Sequence, residues 1–296
     1  MNRLTTTATV LLLAVGLTAP ASQGANLTYL NHFNNAGNFD ADLGGAPTAT
    51  VTGAPASTAG FLNGGVELSR GLDQLLYAAV GNVGSTDGVS MGFWVRSAGY
   101  DSITEGAVSL SFAGIERADF PPGRDSLLAD WSTASSFYSA SRGNDVDSGA
   151  FFSQISDAWH HFYPGLGWLY YNVDIKLPQA GPNSGHYRLR VYDSSGNILA
   201  GVGGDVSGLL PLSPGQQDAF GIFSDMSIRV GTPFGAGEAA VIMDELAIWD
   251  GSLTEQEIDL IVAGMAAGQE LPEPASAMLL LSAAAIALGR RGKSTQ

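Results

Sequence analysis

The chain has 296 residues, 45% of them hydrophobic and only 14% charged, with a formal net charge of −15 and no cysteine. That length holds one large sandwich domain with end segments, or two domains. The charge sets the chain against nucleic acid and anionic lipid, and the lack of cysteine excludes disulfides and thiolate metal sites. The imbalance is internal. Arg3, Arg290, Arg291 and Lys293 are four of the 13 bases, whereas all 28 acids lie between Asp40 and Glu273. Such a body suits neutral glycans, cationic partners or calcium.

Residues 1–24 read as a secretory signal peptide. Arg3 supplies a thin basic start, residues 8–17 an apolar run too short to span a bilayer, and Ala19-Pro20-Ala21 or Ser22-Gln23-Gly24 a small-residue cleavage site. Residues 26–39 are strand-like, followed by Asp40, Asp42 and a Gly/Ala/Pro/Thr-rich loop to Gly60. Short strands are expected at 66–68 and 75–80. Residues 89–96 then alternate Val89, Met91, Phe93 and Val95 against Ser90, Gly92, Trp94 and Arg96.

Residues 116–148 are polar, hold Pro121-Pro122, and read as a long insertion over one face. Asp145 and Asp147, followed by Ser148-Gly149, place oxygen ligands on alternate residues with a glycine for the turn, as calcium loops do. The distal glutamate of a complete EF-type loop is missing, and a solvated acidic loop is the alternative. Asp40 and Asp42 form a weaker candidate of the same kind.

The clearest strand is 167–177. Leu169, Tyr171, Val173, Ile175 and Leu177 share one face; Trp168, Tyr170, Asn172, Asp174 and Lys176 share the other. On that second face Trp168 and Tyr170 offer flat apolar surfaces for sugar rings, and Asn172 and Asp174 offer hydroxyl partners. A second covering layer would bury the same residues. Residues 187–192 repeat the alternation, with a hairpin-type turn at 193–196.

Residues 238–268 read as strand, loop and helix. Residues 241–249 are apolar on both parities, as in a strand covered on both faces. Asp244 is in phase with Ile242, Leu246 and Ile248, so its carboxylate needs a hydrogen bond, a charged partner or a calcium ion. Ser252 with Glu255, and Thr254 with Glu257, are overlapping capping-box patterns. Ile258, Ile261, Val262 and Met265 then recur at helical spacing. Many short strands and one late helix predict an all-β fold, an antiparallel two-sheet sandwich.

Four pieces carry a family resemblance: FLNGGVEL at 61–68, VSMGFWVR at 89–96, Trp159-His160-His161-Phe162, and IMDELAIWDGSLTEQEI at 242–258. In this order they resemble laminin-G-like, concanavalin A-like jelly-roll domains, which implies a jelly roll over residues 25–269. That fold hosts lectins, hydrolases and adhesion modules, so it does not choose among them.

After residue 269 the composition changes. Pro272-Glu273-Pro274, an apolar run at 275–288 and the cluster Arg290, Arg291 and Lys293 form a three-part tail. Its 14 uncharged residues reach about 21 Å as a helix, short of a roughly 30 Å bilayer core, and the basic end should stay cytoplasmic. Residues 270–296 also resemble the PEP-CTERM sorting signal of exported Gram-negative proteins. The resemblance implies recognition by an exosortase-type membrane protease, transient membrane association, removal of the tail, and delivery to the cell surface or extracellular polymer matrix.

Catalytic patterns are weak. Gly88 to Gly92 fits G-x-S-x-G, but Ser90 lies inside an alternating strand and not at a strand-to-helix elbow. The E-x-D-x-E spacing that jelly-roll glucanases use for paired carboxylates is absent, and Asp244 and Glu245, as strand neighbours, should point to opposite faces. His160-His161 would diverge in the same way. The sequence therefore favours an exported, non-catalytic binding protein for glycan or another surface component. A glycoside hydrolase or lyase of the same fold and a purely structural matrix protein are the alternatives.

Overall fold

The computed structural model describes residues 25–43, 48–68, 73–81, 88–100, 110–117, 126–132, 136–141, 163–176, 185–199, 205–209, 226–231 and 240–271. Ala25–Glu273 forms one compact unit. Its strands, in chain order, are β1 (Leu27–Asn31), β2 (Thr50–Thr52), β3 (Ala56–Ala59), β4 (Gly64–Leu68), β5 (Gln74–Gly81), β6 (Gly88–Ser97) and β7 (Leu110–Arg117). They continue with β8 (Ser126–Ser132), β9 (Ser136–Ser141), β10 (Leu169–Lys176), β11 (His186–Asp193), β12 (Asp205–Leu209), β13 (Met226–Gly231) and β14 (Val241–Trp249). Helix α1 (Glu255–Ala266) follows.

Two antiparallel sheets form a sandwich. The larger has the order β12-β11-β10-β6-β14-β4-β3, with β1 also paired to β14; the smaller runs β2-β5-β13-β7-β8-β9. Strands β8 and β9 correct the expected insertion at 116–148. Part of that polar segment pairs as a hairpin against β7 and extends the smaller sheet.

The alternation on β6 and β10 works as read. Val89, Met91, Phe93 and Val95 meet Leu169, Tyr171, Val173 and Ile175 in the core between the sheets, with Leu75, Tyr77, Ile115, Ile228 and Val230 opposite. Phe93 and Tyr171 stack there with ring centroids 5.7 Å apart. Burying each large side chain contributes roughly 1.5–3 kcal/mol.

The outer face of the larger sheet has its own core. Trp94, Tyr170, Tyr192, Ala247 and Trp249 lie against Ile258, Val262 and Met265 of α1. Gly92 is needed beneath it: a Cβ there would collide with the Tyr170 hydroxyl. The helix starts with one capping box. Thr254 Oγ1 accepts from the Glu257 amide (3.2 Å), and Glu257 Oε2 accepts from the Thr254 amide (2.7 Å). Ser252 and Glu255, the overlapping pair, bond to the sheet instead.

Candidate functional site

The polar parity of β10 meets α1. Register places Asp174 between Arg188 on β11 and Ser90 on β6. Asp174 is fully buried and accepts from Ser252 Oγ (2.7 Å), the Leu253 amide (2.7 Å) and Arg188 Nη2 (3.2 Å). Arg188 also donates to the Leu253 carbonyl at 2.5 Å. Arg190 holds Glu255 (2.5 Å) and Asp259 (3.3 Å), and the Tyr192 hydroxyl donates to Asp259 (2.8 Å). Buried Asn172 donates to Ser90 Oγ at 3.0 Å. Of the two readings of this face, open to sugar or under a second layer, the covered one holds at Tyr170, Asn172 and Asp174, where α1 and the turn before it lie over the strand. Of the four predicted binding residues, Trp168 alone keeps partial exposure.

The second cluster surrounds a bulge in β14. Asp244 lies opposite Trp94, yet Ala247 lies opposite Gly92, so one extra residue is inserted. Glu245 absorbs it with φ of 53°, a left-handed conformation uncommon for non-glycine residues. The bulge corrects two expectations. Leu246 and Ile248 face the inner core, whereas Asp244 faces outward, and Glu245 points the same way instead of to the opposite face.

Both carboxylates are enclosed and occupied. Asp244 accepts from the amides of Phe61 (2.7 Å), Leu62 (3.0 Å) and Glu245 (2.8 Å). Its oxygens thus pin the 61–62 loop, where the sequence allowed a metal. Burial pushes its pKa up to about 7, aided by the neighbouring Glu245 charge and opposed by the amides. Glu245 contacts His32 Nδ1 at 2.6 Å and accepts from the Leu271 amide at 3.4 Å. Burial works against a charged His32, but Glu245 more than offsets it and the imidazole pKa lies above its ordinary value. Glu270 accepts from Asn34 (3.0 Å) and Asn63. Residues 270 and 271 are thus fastened to the body.

The pinned loop completes an aromatic group. Phe61 stacks on Trp94 at 3.7 Å and meets Trp168 edge-on at 6.0 Å, while the Arg96 guanidinium stands 5.1 Å over the Trp168 ring. Sequence reading missed Arg96, Arg188, His32 and Glu245 as site members. Arg96 was signalled only by its shared parity with Trp94. Asp145, Asp147, His160, His161, Pro272, Glu273, Pro274, Arg290 and Arg291 lie outside the described residues. Among the described residues no group of three or more metal-ligating side chains is placed to hold an ion, and no helix is long and apolar enough to cross a membrane.

No protein-family model matches the sequence, and no characterised protein matches it at a significant level. Solved structures do. The binding domain of Paraclostridial Mosquitocidal Protein 1 aligns with TM-score 0.53 at 10% identity, over 80% of this chain and 52% of that one. The receptor binding domain of botulinum neurotoxin D gives 0.53 at 11% identity, over 81% and 52%. That of type G gives 0.50 at 14% identity, over 81% and 51%. The chain spans about half the length of these structures. What it shares with them is the fold, a β-sandwich.

Proposed function

We propose that the chain is an exported, non-catalytic laminin-G-like jelly roll that binds a glycan or other surface component and is sorted through its C-terminal segment. One observation carries the sorting half. Leu271 is buried against the body with its amide on Glu245, so the fold is fastened up to the residue before Pro272-Glu273-Pro274. A protease acting on that motif would release the body with these contacts intact. The binding half is supported by the fold and by the acids: Asp174, Asp244 and Glu245 spend their oxygens on the protein's own donors, which gives them structural work. Calcium at Asp145 and Asp147 stays part of the proposal as a stabiliser of that loop.

In a host with the sorting system, mature surface protein should end near Pro274, and replacing Pro272-Glu273-Pro274 with three alanines should leave full-length protein in the membrane fraction. Intact-mass measurement reads both. Surface protein still ending at Gln296 would reduce the tail to an anchor. A glycan array with and without calcium, with a reducing-sugar assay on the hits, tests the rest: binding without sugar release is expected, and release would make the protein an enzyme.

A further inference from the structure

We propose that Arg96, Trp168 and Phe61 form a subsite for a carboxylated sugar, a uronate residue within an acidic polysaccharide. This rests on the binding reading above and narrows it. Leu169 pairs with Val95, so Trp168 stands beside Arg96 at the end of the outer face, past the fully buried Trp94 and Tyr170. Trp168, Phe61, Leu62 and Arg96 are each half-buried, so each retains surface that a ligand can reach.

The guanidinium is the distinguishing feature. Arg188 and Arg190 are both held by carboxylates. Arg96 has no ion pair among the described residues; its contact is the Trp168 ring, and its Nε is buried without a hydrogen-bond partner. A planar fork of donors on an aromatic face matches a carboxylate two atoms at a time. The adjoining indole and phenyl groups supply apolar surface for the sugar ring. Asp244 fixes Phe61 through its amide, so the aromatic part is set in advance of any ligand.

Charge gives the idea a sharp test. A chain at −15 repels polyanions at long range, and salt of about 0.1 M shrinks that repulsion to roughly 10 Å while sparing a contact pair. Binding to a polyuronate should therefore strengthen from low salt to about 0.1 M, the opposite of binding driven by counterion release.

The experiment is affinity electrophoresis of the full chain through gels containing polygalacturonate, its methyl ester, or dextran. Polygalacturonate should bind about tenfold more tightly than the ester, the effect of one charged hydrogen-bonded pair. Arg96→Gln should bring it down to the ester's level, Arg96→Lys should restore part, and Trp168→Ala should abolish retention on both. Thermal melts check that each variant is folded. Equal retention by acid and ester, or full retention of folded Arg96→Gln or Arg96→Lys with no loss of preference, would overturn the carboxylate subsite and leave glycan binding standing. Retention in none of the gels would overturn both.

Discussion

Tyr170 and Tyr171 are neighbours on one strand and both fully buried, yet they belong to different kinds of interior. Tyr171 lies on Phe93 among side chains of both sheets, a layer held mainly by apolar contact. Tyr170 faces Trp94 and Tyr192 beneath α1, in a layer where Asp174, Arg188, Asp244 and Glu245 are buried beside the aromatics. The inner layer is mainly non-directional, although Asn31 donates there to the Tyr77 hydroxyl and the Phe39 carbonyl. The outer one depends on particular donors meeting particular acceptors, because a buried charge without its partner costs far more than a lost methyl group.

Breaking one partner in the outer layer should have the largest effect. Asp174→Ala takes from Arg188 its buried carboxylate, leaving it the Leu253 carbonyl and the exposed Glu255, and frees the Ser252-Leu253 turn, so urea unfolding should show a loss of about 3–5 kcal/mol. Replacing both Asp174 and Arg188 with leucine and methionine should recover most of it. Met91→Ala in the inner layer should cost about 2–5 kcal/mol, with no second substitution across the layer able to cancel it. If the Asp174 loss were below about 1 kcal/mol, the two layers would not differ as described.

Acidity should separate the layers next. The folded pKa of Asp244 is raised, so between its unfolded value and about 7 the folded state binds the extra proton, and stability should rise as pH falls from 8 to 6. His32 adds to the same slope: its raised pKa gives stability that is present at low pH and lost as pH rises through the folded value. Asp244→Asn should flatten most of the slope in thermal melts, whereas Met91→Ala should lower the curve and leave its slope. The smallest effect is expected from Thr254→Ala, about 1 kcal/mol through the lost cap, seen first as faster amide exchange in α1.

The inner layer was legible in the sequence because a period of two on 89–96 and 167–177 states which residues share a face. Alternation does not state what lies over that face. The apolar stripe of Ile258, Val262 and Met265 announced a helix in need of a sheet, but Arg188 and Asp174 become its seat only through β10–β11 pairing. The bulge escaped for a related reason. Val241 to Trp249 is apolar on both parities, so nothing in it marks the change of phase at Glu245. Strands β8 and β9 were lost to a serine-rich composition, in a polar segment opened by Pro121-Pro122, that reads as loop. For the candidate site, the aromatic half at Trp168 could be read from composition, while Arg96 and Phe61 came together only through tertiary pairing.

The order of the chain gives the late helix a consequence in time. Strand β1 pairs with β14, so Leu27 waits for Trp249, and α1 arrives later still. While the chain is being made from its N-terminus, the outer face of the larger sheet has no cover until residues 255–271 have been added. Trp94, Tyr170 and Trp249 are then exposed stickers, and Arg188 and Asp174 lack their turn. A chain stopped at Asp250 should bind a hydrophobic dye and aggregate, and adding residues 251–271 should cure both; a monomeric, dye-silent truncation would show that the sheet closes without its last segment. Closure of the sheet's outer face thus falls to residues 251–271.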